Sequence, residues 1–103
     1  MQRGEIWWAQ LDPPAARRPV LLLSRNKAYE IRLSITVAPV TRTIRGISTE
    51  VILDDKDGMP VKCVVNLDDI ATIPQNILTE KLTTLSEEKM KKVTEAIVFA
   101  LDI

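Results

Sequence analysis

The chain has 103 residues, 46% of them apolar and 4% aromatic, with 14 basic and 14 acidic residues, no histidine and one cysteine. This composition predicts one globular domain over residues 1–103 with an aliphatic core, and it excludes a disordered chain and an intrachain disulfide. The zero net charge argues against nonspecific coating of nucleic acid. No apolar run approaches the ~18 residues of a membrane helix, so we expect no membrane contact and a reducing, cytoplasmic setting.

The charges are unevenly distributed. Residues 1–53 hold eight basic and four acidic residues, a balance of +4, whereas residues 54–103 hold six and ten, a balance of −4. The first half is therefore suited to an anionic ligand, and the second half to a basic partner or to water.

Turn residues divide the first 85 residues into short extended segments. Strands are predicted at residues 5–11, 20–23, 34–40, 50–53, 61–67, 70–74 and 80–85. A brief helix is predicted over residues 24–30, with Ser24 as its N-cap. Pro39 predicts an edge strand or a break in pairing, because proline donates no hydrogen bond to a neighbouring strand.

Trp7 and Trp8 are adjacent in the first predicted strand. Successive strand side chains point to opposite faces, so one tryptophan is expected in the core and the other nearer the surface. At the surface it would stack on a base or anchor a partner protein.

The last 18 residues predict one amphipathic helix. Ser86 is a suitable N-cap, and Glu87 and Glu88 place negative charge in the first turn. The apolar stripe expected to pack on the core consists of Met90, Val93, Ile97 and Leu101. Short strands followed by this helix predict a mainly β fold, either a small antiparallel barrel or a strongly bent sheet that the helix covers.

Two adjacent arginines, Arg17 and Arg18, precede the apolar run of the second strand. Arginine stays protonated and presents a planar fork of donors that matches phosphate oxygens, so this pair is a candidate polyanion anchor. Taken alone, the pair is also typical of a solvated strand end, and Thr41 alone is typical of a hydroxyl that caps a turn.

No metal or cofactor site is predicted. Residues 54–58 resemble the start of a calcium loop but lack the glutamate six residues after Gly58, so a hairpin turn is expected. Cys63 lies in an apolar segment and is expected to be a buried small side chain, since a thiol nucleophile needs a histidine that is absent.

Five sequence blocks occur in one order: RGEIWW at residues 3–8, LDP at 11–13, RRPV at 17–20, VAPVT at 37–41 and NLDDI at 66–70. In this order the chain resembles the MazF/PemK family of toxin endoribonucleases. The resemblance implies a small SH3-like antiparallel barrel of the CcdB/PemK type with added helices, assembled as a homodimer. It also implies sequence-specific cleavage of single-stranded RNA without a metal or cofactor, and inhibition by a cognate MazE-like antitoxin.

The resemblance also implies roles for particular residues. Arg18, before a proline, and Thr41, after one, match the family's catalytic pair, and Asp68 matches an acidic residue that is a candidate general base. Cleavage by the 2′-hydroxyl needs a proton acceptor, charge stabilisation and a proton donor. Without histidine, we assign these tasks to Arg18, Thr41 and Asp68. The residues expected to bind RNA are Arg17, Arg25, Arg42, Thr43 and Arg45.

The chain departs from the family at several points. The loop before Arg17 is short, and Asn66 and Ala71 stand where some relatives carry arginine. These departures leave a non-catalytic toxin or an RNA-binding module on the same fold as the alternative. The related gyrase poisons depend on a C-terminal Trp-Gly-Ile, whereas this chain ends Leu101-Asp102-Ile103, which argues against gyrase as a target.

Overall fold

The structure is a computed structural model that describes residues 1–14 and 16–103. It contains seven strands and two α-helices. In chain order they are β1 Glu5–Gln10, β2 Arg17–Leu22, α1 Ala28–Ile31, β3 Ser34–Thr41, β4 Glu50–Leu53, β5 Cys63–Asn66, β6 Ala71–Pro74, β7 Leu78–Thr84 and α2 Glu87–Leu101. Three short 3₁₀ turns lie at Asp55–Asp57, Leu67–Asp69 and Gln75–Ile77.

All strand pairs are antiparallel, and the strands follow the order β4-β5-β3-β2-β1-β7, with β6 also paired to β3. The predicted mainly β fold with an amphipathic C-terminal helix is confirmed. The sheet is open among the described residues, because its path ends at β4 and β7 rather than closing into a complete barrel.

Strand β3 is central, which corrects the expectation of an edge strand at Pro39. Its first half pairs with β6 as far as Val37, and its last two residues pair with β5, starting at Val40. Pro39 lies where this change of partner occurs and is paired with Val20 of β2 on the other side. The break in pairing is therefore present, and the missing N–H of proline falls where it does least harm.

Alternation along the strands divides the apolar residues between two faces. One cluster includes Ile6, Leu21 and Val65 and is covered by α2 through Val93 and Ala96. The second cluster lies on the other face, where the buried residues are Ala9, Val20, Leu22, Ile35, Val37 and Leu78. Each large apolar side chain that is fully buried contributes about 1.5–3 kcal/mol to the stability of the fold, so the two clusters stabilise the sheet from both faces.

Helix α2 begins as predicted, since the Ser86 hydroxyl accepts a hydrogen bond from the Lys89 N–H at 3.1 Å. Its apolar stripe packs on the core as far as Ala100, but Leu101 is 56% exposed, contrary to the prediction. The helix ends there, because Asp102 adopts a left-handed conformation with φ of 55°. None of the helices in the described residues is long and apolar enough to cross a membrane.

The first helix is shorter than predicted and does not use Ser24 as its N-cap. The Ser24 hydroxyl instead accepts a hydrogen bond from the Thr36 N–H at 2.8 Å, which ties the end of β2 to β3. The Ser24 hydroxyl, which local propensity predicts as a helix cap, makes a hydrogen bond to a distant strand instead.

Candidate active site

The start of β2 and the end of β3 meet at one edge of the sheet. In the ladder between these strands, Val20 pairs with Pro39. Arg18 and Thr41 each lie two residues beyond this last pair, and both line the same groove. The sheet therefore brings together the two residues that the sequence predicts as the catalytic pair.

A groove of about 570 Å³ opens at this edge. Its polar lining comprises Arg17, Arg18, Thr41, Arg42 and Thr43. Its apolar lining comprises Met59, Pro60, Val61 and Leu82. Among the described residues that line the groove, three are arginines and none is acidic, so its surface is suited to a phosphate backbone.

The two neighbouring arginines have different surroundings. The Arg17 guanidinium carbon lies 4.3 Å from the centroid of the Trp8 ring, a cation–π distance. Stacking on the ring holds the guanidinium plane in place while its edge N–H groups stay free for a ligand. Strand alternation directs Arg18 to the other face of β2, and it shares the groove lining with Thr41.

Trp7 and Trp8 serve different structures, as their alternation predicts. The Trp7 ring packs against the second apolar cluster, and its Nε1–H donates to Glu5 Oε1 at 2.9 Å. Trp8 lines the groove beside Arg17. Both rings are half-buried, so Trp7 is not fully enclosed in the core as one of the pair was expected to be.

Thr41 is the last residue of β3 and is half-buried at the groove. Its Oγ1 accepts a hydrogen bond from the Thr43 N–H at 3.2 Å. The hydroxyl keeps its own proton for donation, because accepting one bond uses only a lone pair. Thr41 can therefore donate a hydrogen bond to an anionic oxygen in the groove.

Sequence reasoning missed the apolar lining of the groove, because it treated residues 54–60 only as a hairpin turn. That turn does connect β4 to β5, and it is held to β7 by the Thr83 hydroxyl, which donates to the Asp57 carbonyl at 2.9 Å. Met59, Pro60 and Val61 follow directly and reach the groove. The position of these three residues depends on a contact between distant segments, so no local sequence pattern predicts it.

Asp68 does not line the groove. It belongs to the 3₁₀ turn after β5, and its Oδ2 accepts a hydrogen bond from the Thr49 hydroxyl at 2.7 Å. Thr41 pairs with Val64, four residues before Asp68, so the carboxylate lies farther along β5 from the Arg18–Thr41 pair. Its role as a general base stays a prediction.

Two of the arginines predicted to bind RNA also lie outside the groove lining. Arg25 follows the opposite end of β2 and is exposed. Arg45 lies beyond the groove in the segment after β3, where its Nε is 3.3 Å from Glu50 Oε2. The structure thus brings Arg17, Arg42 and Thr43 to the groove, and places the other two elsewhere.

Cys63 is buried at 2% exposure beneath the groove, as predicted. Burial raises the pKa of its thiol, and the nearby negative charge of Asp57 raises it further. The thiol is held in its protonated form and is not activated as a nucleophile.

The family model described as "PemK-like, MazF-like toxin of type II toxin-antitoxin system" matches residues 2–101. The chain belongs to this toxin family. A relative from Mycobacterium tuberculosis, "Probable endoribonuclease MazF5", is 37% identical over 101 residues, covering 97% of this chain and 92% of the relative. The membership predicted from the five sequence blocks is confirmed.

Solved structures of MazF toxins have the same fold. "Mycobacterium tuberculosis toxin MazF-mt6" is 37% identical with a TM-score of 0.88, covering 96% of this chain and 97% of that one. "Endoribonuclease in complex with its cognate antitoxin from Mycobacterial species" is 25% identical with a TM-score of 0.89, covering 100% and 96%. The relatives' names support the predicted enzyme class, an endoribonuclease, and an antitoxin as a partner.

Proposed function

We propose that this MazF-family toxin cleaves single-stranded RNA in the groove at the β2–β3 edge, with Arg18 and Thr41 as its catalytic residues. The observation that carries this proposal is the groove that Arg18 and Thr41 line together with two further arginines. The family match and the relatives named endoribonuclease support the same reaction class.

The proposed reaction is an in-line attack by the RNA 2′-oxygen on the adjacent phosphorus. The new P–O2′ bond forms as the P–O5′ bond breaks, leaving a 2′,3′-cyclic phosphate and a 5′-hydroxyl. Arg18 stabilises the extra negative charge on the phosphate, and Thr41 donates a hydrogen bond to one of its oxygens. The 2′-hydroxyl passes its proton to the general base, for which Asp68 or water is the candidate. The 5′-oxygen gains a proton from Arg18, the proposed donor, which is then reprotonated by solvent.

The remaining groove residues are proposed to hold the RNA on either side of the scissile phosphate. Arg17, Arg42 and Thr43 supply donors to backbone oxygens, while Trp8 and the apolar lining offer surfaces for bases. Phosphate contacts set the position of the strand, and base contacts select the sequence. The cleavage sequence would therefore depend on the apolar lining more than on the arginines.

A cognate MazE-like antitoxin is the proposed inhibitor, supported by the related endoribonuclease solved with its own antitoxin. We further propose a homodimer, as the family resemblance implies. Because messenger RNA is the proposed substrate, we expect the toxin to act in the cytoplasm.

A second candidate function is an RNA-binding module without catalysis, favoured by the absence of arginine at two positions. Asn66 is 6% exposed, and its side chain accepts from the Asp68 N–H and donates to Asp69, both at 2.9 Å. It caps the turn after β5 and cannot be a cationic contact. Ala71 is exposed on β6 and supplies no charge either.

The deciding experiment is cleavage of a varied single-stranded RNA pool in EDTA. We expect products ending in a cyclic phosphate, and Arg18→Ala should lower the rate by about 10²–10³, the effect of removing one donor to transition-state charge. Arg32→Ala, at an exposed arginine after α1 with no predicted RNA contact, is the matched control and should cut at nearly the wild-type rate. RNA that is bound but left intact by the wild-type protein would establish the binding module instead.

The same assay tests Asp68. If Asp68 is the general base, Asp68→Asn lowers kcat by about 10²–10⁴ and changes the Kd for RNA little. If it only accepts from Thr49, Asp68→Asn leaves kcat near the wild-type value.

A further inference from the structure

Glu50, the first residue of β4, carries a carboxylate that is almost removed from water. Its side chain is 2% exposed. Its Oε1 accepts hydrogen bonds from the backbone N–H groups of Arg45 and Gly46, both at 2.9 Å, and its Oε2 accepts from Arg45 Nε at 3.3 Å. A charge in this position is stable only because these donors replace water.

The direction of its pKa agrees with this geometry. Burial alone raises the pKa of Glu50, but the hydrogen bonds from Arg45 and Gly46 lower it by more, and the net pKa lies below the ordinary 4.5. The carboxylate is therefore ionised at neutral pH, and both of its oxygens accept hydrogen bonds from the segment.

The two backbone donors belong to the segment of residues 42–49, which connects the end of β3 to β4 and contains no strand. At its start, Arg42 and Thr43 line the groove. Farther along it projects outward, since a Cβ added at Gly46 would meet nothing within 4 Å. At Gly46 the carboxylate hydrogen bonds therefore hold a backbone that no side chain packs against on that side, whereas the ends of the segment are held by the Thr43 N–H on Thr41 and the Thr49 hydroxyl on Asp68.

We propose that Glu50 is a positioning residue for RNA binding, which fixes the 42–49 segment through the backbone of Arg45 and Gly46 so that Arg42 and Thr43 face the groove. The inference rests on the proposed function in taking RNA as the ligand of the groove. A segment ordered before binding costs less to immobilise when the RNA arrives. Arg18 lies on β2 and Thr41 at the end of β3, so the proposed catalytic pair keeps its position when the hydrogen bonds of Glu50 to Arg45 and Gly46 are removed.

The substitution Glu50→Gln separates the hydrogen bonds from the two backbone N–H groups from the ion pair with the Arg45 guanidinium. A glutamine oxygen at the Oε1 position still accepts from both backbone N–H groups, whereas its amide nitrogen no longer attracts the Arg45 guanidinium. Glu50→Ala removes both parts. Glu50→Asp keeps the charge but withdraws it by one methylene, and it serves as a second disruptive variant in case the alanine variant does not fold.

The experiment measures two quantities for each variant. The first is the Kd for a 2′-O-methyl single-stranded RNA pool, which cannot be cleaved, by fluorescence anisotropy. The second is amide hydrogen exchange at Arg45 and Gly46 by NMR. For Glu50→Ala we expect about tenfold weaker binding and about tenfold faster exchange, with kcat on native RNA changed less than KM.

For Glu50→Gln we expect a Kd for the RNA within about threefold of the wild-type value. If Glu50 acted only through its charge, this substitution would weaken binding as much as Glu50→Ala. Glu30→Ala is the matched control, because it also removes an ion-paired carboxylate, 2.8 Å from Lys27, but at an exposed site. Its Kd should equal that of wild type.

Several results would overturn the inference. One is fast exchange at Arg45 and Gly46 in Glu50→Ala with an unchanged Kd, since order in the segment would then not matter for binding. Another is Arg45→Ala or Glu50→Gln weakening binding as much as Glu50→Ala, since charge would then act alone. If the wild-type protein binds the 2′-O-methyl RNA but leaves native RNA uncut, the proposed nuclease function is wrong, and the Kd values of the Glu50 variants still decide the present inference. If the wild-type protein binds no RNA, both the proposed function and the inference are wrong.

Discussion

At the scale of single residues, the environment of a charge decides what it can do. Arg17 is stacked on Trp8, whereas Arg18 points to the other face of β2 and shares the groove lining with Thr41. A stacked guanidinium keeps its edge donors for a phosphate oxygen but is too constrained to follow a reacting group. We therefore separate a binding role for Arg17 from a catalytic role for Arg18.

This separation predicts a different defect for each arginine. Arg17→Ala should weaken RNA binding severalfold, leave kcat nearly intact, and reduce the slope of log Kd against log salt by about 0.7, the loss of one phosphate contact on a single strand. Titrations of the uncleavable RNA pool at several salt concentrations measure the slope.

Lys91→Ala, on the exposed side of α2, is the control and should leave the slope unchanged. Arg25→Ala is the informative comparison, because the sequence predicts Arg25 as an RNA contact and the structure places it away from the groove. An equal loss of slope for Arg25→Ala would extend the RNA surface to the far end of β2.

Two buried carboxylates make stability depend on acid. The pKa of Glu5 is subject to burial, which raises it, but hydrogen bonds from Trp7 and the Gln2 N–H and the charge of Lys81 lower it below 4.5 overall, and the pKa of Glu50 is also lowered. A carboxyl with a lowered folded pKa stabilises the fold when ionised. Its contribution is complete above 4.5 and is lost as the pH falls through the lowered value.

We therefore expect the free energy of unfolding of Glu50→Gln to lie below that of wild type above about pH 5, with the difference shrinking as the pH falls below 4.5 and through the lowered pKa of Glu50. Urea denaturation across this range measures it. Glu30→Gln, at an exposed ion pair, should differ little from wild type throughout. A constant difference between wild type and Glu50→Gln at every pH would contradict the prediction.

At the scale of elements, the turn between β4 and β5 contributes a wall of the groove. The Asp54 side chain caps its 3₁₀ turn, and Lys89 of α2 lies 3.5 Å from Asp57. Gly58 closes the turn with φ of 88°, and a Cβ there would come within 2.3 Å of the Thr83 hydroxyl. The close approach of this backbone to β7 requires glycine.

Gly58→Ala should destabilise the protein by about 3 kcal/mol, because left-handed strain adds to overpacking against Thr83. Gly46→Ala is the matched control, since Gly46 also has a positive φ, 72°, but open space around it. Backbone strain alone should cost about 1 kcal/mol there. Thermal or urea unfolding compares the two, and equal losses would mean that the contact with Thr83 is unimportant.

At the scale of the whole molecule, the radius of gyration is 12.8 Å, close to the ~13 Å expected for one compact domain of about 100 residues. We infer that residues 1–103 act as one toxin domain, which the match over residues 2–101 also supports. The zero net charge is compatible with RNA binding because three arginines and no acidic residue are among the described residues that line the groove.

The proposed homodimer predicts an apparent mass of about twice 11.6 kDa by light scattering. Exposed apolar residues gather at the end of α2, where Phe99 is 64% and Ile103 78% exposed, and Phe99 shares a surface depression with Ile52. We expect Phe99→Glu to shift the protein to a monomer, because a charge would be buried between copies. Leu33→Glu, before β3, is the control, and a dimer that survives Phe99→Glu would place the interface elsewhere.

The predictions from sequence succeeded where the signal is local. Ser86, with acidic residues after it, indicated the start of α2, and alternation indicated most of the strands. They failed where a distant segment takes over a residue. Ser24 binds Thr36 instead of capping a helix, and Pro39 lies in a central strand because β6 and β5 share one side of β3.

By itself, the sequence determined the toxin family, the mainly β fold and the Arg18–Thr41 hypothesis, because motif order, strand alternation and helix capping are written in neighbouring residues. Only the tertiary structure decided that Arg18 and Thr41 line one groove, that the segment after β4 lines it too, and that Glu50 accepts hydrogen bonds from Arg45 and Gly46. These features depend on strand register and on buried hydrogen bonds. Both arise when segments far apart in the chain are packed together, and no local pattern of residues specifies them.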